Sequence, residues 1–482
     1  MDVEGSQPRE GPGREVRRVK PEDSRSEQSP SPAPGDTVPH PVEASLWEQV
    51  MARENLALAL RRVEQNAGAP GIDGMSTKGL RPWLKDHWPL IRSELDAGTY
   101  RPQPVRRVMI PKPSGGMRKL GVPATVDRLI CQAIAQVLTP VFDRQFHPHS
   151  FGFRPGRSQH HAVERARQFI ADDAAWCADF DLDLFFDRVQ HDALMARVAR
   201  RVHDKQVLRL IRRYLEAGVM DGGLVHATEE GTPQGSPLSP LLSNVMLDDL
   251  DWELERRGHR FVRYADDGRI YVRSERAGQR VMESITQYVE QRLKLRVNRE
   301  KSVVDLATKR PFLGFGFVCR EGEVKVTVAP KARKRAKDRL RQLTSRRRGV
   351  SMERRIKEIN RFTVGWTAYF AFADTPSPFD ELDKWLRRRL RQIRWKEWKR
   401  PPTRERKMRQ LGIPAPEAHQ WANTRKGYWR ISRSWILHRT LPNAYWTNQG
   451  LTGFAVPYRR FRDAKRTAGC GPACPVVWEA PG

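Results

Sequence analysis

The chain has 482 residues, enough for about three domains of ordinary size, and carries a formal net charge of +30 with an isoelectric point near 10.5. That charge excludes a metabolite enzyme without a polyanionic partner and points to nucleic acid or an anionic membrane. No run approaches the roughly 18 apolar residues of a membrane span and no apolar signal segment opens the chain, so the expectation is a soluble intracellular protein that binds nucleic acid, with no membrane partner.

Residues 1–44 are rich in Pro, Ser, Glu and Gly and nearly devoid of large apolar side chains, which predicts a disordered tail. From Ser45, read as an N-cap, Leu46, Val50, Leu56, Leu60 and Val63 form a broken helical stripe that ends in the glycine-rich connection 66–74. Residues 105–123 read as two strands joined by a Pro-Ser-Gly-Gly turn, with Lys112 and Arg118 on either side of it and able to converge on one anion. A helix from Thr125 to about Phe142 follows, its core face carried by Val126, Leu129, Ile130, Ala133, Ile134, Val137 and Leu138. The loop Phe151-Gly-Phe-Arg154-Pro-Gly-Arg157-Ser158 has little to bury.

Taken as a strand, Trp176–Asp187 places Asp179, Asp181 and Asp183 on one face and Phe180 and Leu182 on the other. Several acids on one strand face need cations, water or a basic partner. Asp187 precedes a helix through Leu194, Val198 and Val202 and reads as its N-cap. The small and polar run Gly231-Thr-Pro-Gln234-Gly235-Ser reads as a loop-to-helix junction or a nucleotide-binding loop. Phe261–Val272 holds two β-prone runs around Ala265-Asp266-Asp267-Gly268, a hairpin with both acids at its tip. Alone, this is either a solvated Asp-Gly turn or a Mg²⁺ clamp, since hard divalent ions take converging carboxylate oxygens.

Residues 331–482 hold 37 Lys and Arg against 12 Asp and Glu, together with nine of the 14 Trp, so most of the net charge lies here beside aromatic rings suited to stacking. Arg354–Phe370 has a helical apolar stripe. A second helix sets Leu382, Trp385, Leu386, Leu390 and Ile393 on one side and Arg387, Arg388, Arg391 and Arg394 on another, which leaves the arginines for phosphates. The five cysteines form no disulfide framework, and Cys470 and Cys474 lack the second ligand pair of a zinc site, so reduced thiols are expected.

The order Lys112…Arg118, Asp181…Phe186, Pro233-Gln-Gly235, Tyr264-Ala-Asp-Asp267, Leu293-x-Leu295-x-Val-Asn-x-Glu-Lys301 and Phe312-Leu-Gly-Phe315 resembles the motifs of reverse transcriptases, most closely the bacterial group II intron-encoded reverse transcriptase/maturases. The resemblance covers roughly residues 46–455. It implies an α+β right-hand polymerase fold, with an antiparallel palm sheet presenting Asp181, Asp266 and Asp267 to two Mg²⁺ ions, Mn²⁺ being a possible substitute. It assigns Lys112 and Arg118 to the dNTP triphosphate, Phe186 to the sugar 2′ carbon, and Gln234 and Gly235 to the nascent base pair.

The expected domains are the tail 1–44, fingers and palm 45–325, an α-helical thumb/maturase domain at 326–410, and a basic DNA-binding segment at 411–482 that includes Arg425, Lys426 and Arg430. The partners implied are group II intron RNA as template and splicing substrate, target DNA or primer, and dNTPs, in a bacterial cytoplasm near the nucleoid; a dimer is left open. The Cys/His-rich nuclease domain of many relatives has no counterpart before Gly482, so insertion is expected to use pre-existing 3′ ends. The competing readings are a splicing cofactor with vestigial polymerase activity and a relative recruited for host defence.

Overall fold

The computed structural model of the chain describes residues 44–111, 116–221, 224–226, 230–232 and 235–468. The expected N-terminal tail, Lys112, Gln234 and the Cys470/Cys474 pair lie outside the described residues. Ser45 caps α1 (Leu46–Met51) in a reciprocal capping box with Glu48. Ala52 is extended, so the single helical stretch expected after Ser45 restarts as α2 (Arg53–Asn66). Then follow α3 (Thr77–Asp96), β1 (Val105–Pro111), β2 (Met117–Val122), α4 (Thr125–Asp143), α5 (Gln159–Ala171), β3 (Trp176–Asp181), α6 (Phe185–Arg188), α7 (His191–Ala199), α8 (Lys205–Glu216), β4 (Val219–Asp221) and β5 (Leu224–His226). The chain continues through α9 (Ser239–Arg256), β6 (Arg260–Tyr264), β7 (Asp267–Val272), α10 (Glu275–Arg292), β8 (Val303–Leu306), β9 (Phe315–Arg320), β10 (Glu323–Val328), α11 (Pro330–Leu343), α12 (Met352–Phe370) and α13 (Ser377–Glu397). Shorter helices run from Pro401–Gln410 to Ala455–Ala468. No helix among the described residues is long and apolar enough to cross a membrane.

The α+β expectation is met by two four-stranded sheets and a two-stranded hairpin of β9 and β10. One sheet, in the order β2-β1-β4-β5, carries the basic hairpin, with Ile110 opposite Arg118. The other, β6-β7-β3-β8, is antiparallel throughout, and its side chains alternate between two apolar clusters. Ala178, Phe180, Phe261 and Ile270 face the first cluster, which α4, α9 and α10 cover with Leu138, Met246, Leu250 and Val289. Cys177, Val262 and Tyr271 face the second, built from α5, β9, β10 and the C-terminal helices. Removing a side chain the size of Phe261 from water contributes about 1.5–3 kcal/mol, so this sheet is fixed from both sides.

The alternation also places Asp179, Asp181, Asp267 and Arg269 together on the face of the second cluster. Asp183 does not join them, because β3 ends at Asp181 and Leu184 turns left-handed at φ +50°. Its side chain instead pairs with Arg188 at 3.0 Å. Asp187 is no N-cap; it sits inside α6, and Gln190 precedes α7 without a side-chain cap.

Candidate active site

The paired acids divide differently from a symmetric tip. Tyr264 pairs with Asp267 across the hairpin, so Ala265 and Asp266 form a two-residue link while Asp267 already belongs to β7. Ala265 adopts φ +57°, a conformation that costs an L-residue about 1–2 kcal/mol. The surroundings hold it there. Arg263, only 1% exposed, donates from Nη1 to the Ala265 carbonyl at 2.9 Å and to Asn244 Oδ1 at 3.0 Å. It donates from Nη2 to Ser150 Oγ at 2.8 Å, and Nε and Nη2 clasp the buried Asp251 carboxylate. Asn244 Nδ2 in turn donates to the Gly152 carbonyl at 2.9 Å, and Gly152 lies so close that a Cβ would meet Ala265 N at 2.2 Å.

The loop 151–158, expected to have little to bury, is in part a buried brace: Phe151, Gly152 and Arg154 are buried, while Phe153, Pro155 and Gly156 are exposed. Arg154 donates to Asp143 and to the His147, Ser150 and Asp143 carbonyls, and the Phe151 N–H joins the Arg263 carbonyl at 2.9 Å.

Asp181 ends β3 directly opposite Asp267. Its N–H donates to Ser302 Oγ at 3.1 Å, the Asn298 N–H donates to its carbonyl at 2.8 Å, and Lys301 Nζ stands 3.4 Å from its carboxylate. Burial raises the pKa of Asp266, with the Asp181 charge adding to it and Arg118 opposing. Burial and then the carboxylates of Asp179, Asp266 and Asp181 push Asp267 up to about 6, against Arg269. Because 43% of the Asp267 side chain still meets solvent, the crowding of negative charge is the firmer part of that cause. Carboxylates that repel one another on a partly open surface form a donor set for hard divalent cations. Asp179 is occupied otherwise: it is buried and pairs with Arg310 at 2.6 Å and Arg269 at 3.1 Å.

Of the other predicted residues that are described, Arg118 acts on this face, while Gly235 and Phe186 lie on neighbouring elements. Arg118 is exposed on β2 and close enough to Asp266 to stabilise its charge. Gly235, at φ +125°, packs so tightly on β2 that a Cβ would sit 2.4 Å from the Gly121 carbonyl. Phe186, half-buried on α6, accepts at its carbonyl from the Thr232 N–H at 2.6 Å, so Thr232 lies against α6 and Gly235 against the basic hairpin. Sequence reasoning did not find Arg263, Asn244, Asp251 or Gly152. For Arg263 the signal was a charge inside an apolar strand, and for Asn244 a polar residue inside an apolar helix; Asp251 and Gly152 carried none.

The arginines of α13 do not form an open phosphate face. Arg391 is buried and donates to the Ser432 carbonyl and toward His438; Arg388 stacks on Trp429 at 3.6 Å; Arg387 and Arg394 pair with Asp383 and Glu397. The segment 411–468 covers the side that periodicity left free, since amphipathy cannot distinguish solvent from a polar neighbour. Helix α11 supplies the open basic face instead, burying Ala332, Ala336 and Leu340 and exposing Lys331, Lys334, Arg335 and Arg339. Arg425, Lys426 and Arg430 are exposed as well, Lys426 lying 4.7 Å from the Trp421 ring.

Residues 110–317 match the family described as reverse transcriptase (RNA-dependent DNA polymerase), and residues 333–412 match the group II intron, maturase-specific domain. Protein YkfC of Escherichia coli (strain K12) is 34% identical over 305 residues, covering 55% of this chain and 78% of that one. Group II intron-encoded protein LtrA of Lactococcus lactis subsp. cremoris is 29% identical over 362 residues, 59% of each chain. The putative COX1/OXI3 intron 1 protein of Saccharomyces cerevisiae is 33% identical over 208 residues, 42% of this chain and 24% of that one. Of these last two relatives the chain thus spans 59% and 24% of the length.

Proposed function

The chain belongs to the group II intron reverse transcriptase/maturase family, an RNA-directed DNA polymerase joined to a maturase-specific domain, and from that premise we propose that Asp181, Asp266 and Asp267 hold two Mg²⁺ ions and extend a DNA primer along intron RNA. The observation that carries the assignment is the register: Asp181 faces Asp267 across the sheet, and Asp266 projects from the braced turn beside them. The donor set fits the ions, being all carboxylate, mutually repulsive and half open to solvent, with side chains 47% exposed at Asp181 and 43% at Asp267. When bound, such ions lower the pKa of a primer 3′-OH and hold the triphosphate and its leaving pyrophosphate.

The chain's own groups do the positioning. Arg118, on the exposed strand above Asp266, offers a guanidinium to the triphosphate of the incoming dNTP. Phe186, whose carbonyl accepts from the Thr232 N–H, limits space at the sugar 2′ carbon. Gly235 lets the loop backbone reach β2 and frame the nascent pair. We assign the thumb to the helices from α11 onward. The exposed basic face of α11 and Arg425, Lys426 and Arg430 are the groups that meet intron RNA and target DNA.

The test is cDNA synthesis on an RNA template by the Asp266→Ala/Asp267→Ala protein, with splicing of the parent intron measured separately. Synthesis should vanish while RNA binding persists. Normal synthesis would sink the assignment.

A further inference from the structure

Two residues behind the acids, β3 and β7 carry a second charged pair in the same register: Asp179 lies opposite Arg269 as Asp181 lies opposite Asp267. With a two-residue period, both pairs project from one face of the sheet. Arg269 is 5% exposed and held on three sides. Its Nη1 donates to the Arg310 carbonyl at 3.0 Å, its Nη2 donates to the Pro311 carbonyl at 2.7 Å and to Asp179 at 3.1 Å, and its guanidinium lies 4.6 Å from the Phe312 ring centre.

One donor is left over. Arg269 Nε is buried without a hydrogen-bond partner, and the nearest carboxylate oxygen paired with it is Asp267 Oδ1, 3.9 Å away. A buried N–H without an acceptor costs about 1–3 kcal/mol, so the fold gains if that gap closes. Asp179 does not use up the charge of Arg269, because Arg310 also binds the same carboxylate oxygen, through Nε at 3.0 Å and Nη2 at 2.6 Å. Two guanidiniums against one carboxylate leave a net positive charge immediately behind Asp267.

We infer that Arg269 is a positioning residue for Asp267: its unpartnered Nε, 3.9 Å from Asp267 Oδ1, is the donor that closes on that oxygen and leaves Oδ2 as the oxygen offered to a divalent cation. The inference rests on the reading of Asp181, Asp266 and Asp267 as a metal site. Asp179 and the backbone carbonyls of the 310–311 segment hold the guanidinium in place, and neither carbonyl depends on the Arg310 side chain. A purely structural Arg269, tying the sheet to that segment, would affect unfolding but not cation binding.

The experiment compares Mn²⁺ binding to the full chain, followed by electron paramagnetic resonance of the free ion, in wild type, Arg269→Gln, Arg269→Lys and Arg310→Lys. Each is paired with steady-state primer extension and thermal unfolding. Lysine keeps the charge but has no Nε donor, so both Arg269 variants should bind Mn²⁺ about tenfold more weakly and lose kcat while the dNTP KM stays within about twofold. Arg310→Lys should lower the unfolding temperature and leave Mn²⁺ affinity within about twofold. If Arg269→Gln fails to fold, Arg269→Lys carries the comparison. A folded Arg269 variant with wild-type or tighter Mn²⁺ binding overturns the inference. A wild-type protein that binds no Mn²⁺ overturns the metal-site reading itself, and the inference with it.

Discussion

Gly152→Ala tests whether the 147–154 segment sets the position of the acids. A Cβ at Gly152 would meet Ala265 N at 2.2 Å, the Tyr264 carbonyl carbon at 2.9 Å and Ala265 Cα at 3.0 Å, all backbone atoms that cannot rotate away. Ordinary contact begins near 3.4 Å, so the turn or the loop must yield by about 1.2 Å. The loop is not free to move, because the Phe151 N–H is bonded to the Arg263 carbonyl and the Arg263 N–H to the His149 carbonyl at 3.0 Å. Most of the displacement therefore falls on Ala265 and Asp266. Overpacking of this kind costs about 1–3 kcal/mol and leaves a protein of this size folded, whereas a shift of about 1 Å at reacting groups costs about 100-fold in rate. Single-nucleotide extension of a DNA primer on an RNA template should lose about two orders of magnitude in kcat, with unfolding lowered by only a few degrees. Gly349→Ala, where a Cβ meets open space, is the comparison and should leave both unchanged. A folded Gly152→Ala protein with kcat within threefold of wild type would refute the bracing role.

Replacing Arg263 with Leu leaves Asp251 fully buried and unpaired, so guanidinium unfolding should report a loss of about 3–5 kcal/mol; Asp251→Asn in the same chain should recover part of it. Asp127 is raised from 3.8 to about 6 by burial, although Tyr100 Oη, the Gln103 N–H and Tyr214 Oη all donate to it. A folded-state value above the unfolded one means that its contribution is present below about pH 4 and lost as pH rises through about 6. Wild type should therefore lose about 2 kcal/mol relative to Asp127→Asn between pH 4 and 6.5, and parallel denaturation curves would refute it. On the basic surface, Lys334→Gln/Arg335→Gln/Arg339→Gln should flatten the salt dependence of RNA binding by about 0.7–0.9 for each phosphate that is no longer neutralised, while Arg391→Ala should lower stability and leave the slope alone.

The chain's periodicities carried the fold a long way. The Ser45 cap, the two strands around 105–123, the helix from Thr125, and the shared face of Asp179 and Asp181 all follow from local rules and stand in the structure. Reading the strand on to Asp183 failed because nothing local marks Leu184 as the residue that turns left-handed. The α13 arginines failed for a different reason. Their helical face is polar, but polarity is also what a helix needs where another segment's carbonyls and rings cover it, as Ser432 and Trp429 do here. Arg263 was illegible because its partners, Asp251, Asn244 and Ser150, lie 12, 19 and 113 residues away. What makes the acids a candidate site is the order of separated motifs, since each stretch alone has an ordinary structural explanation.

Phe151, Val163 and Phe169, beneath the β6-β7-β3-β8 sheet, share one apolar cluster with Trp395, Trp446 and Phe454 of the C-terminal helices. A stop codon anywhere between Trp395 and Trp446 would therefore not trim the protein to a smaller polymerase; it would strip the lining from under β6, β7 and β3. Loss of that segment should weaken the polymerase part as well as the maturase part, because the two share one core.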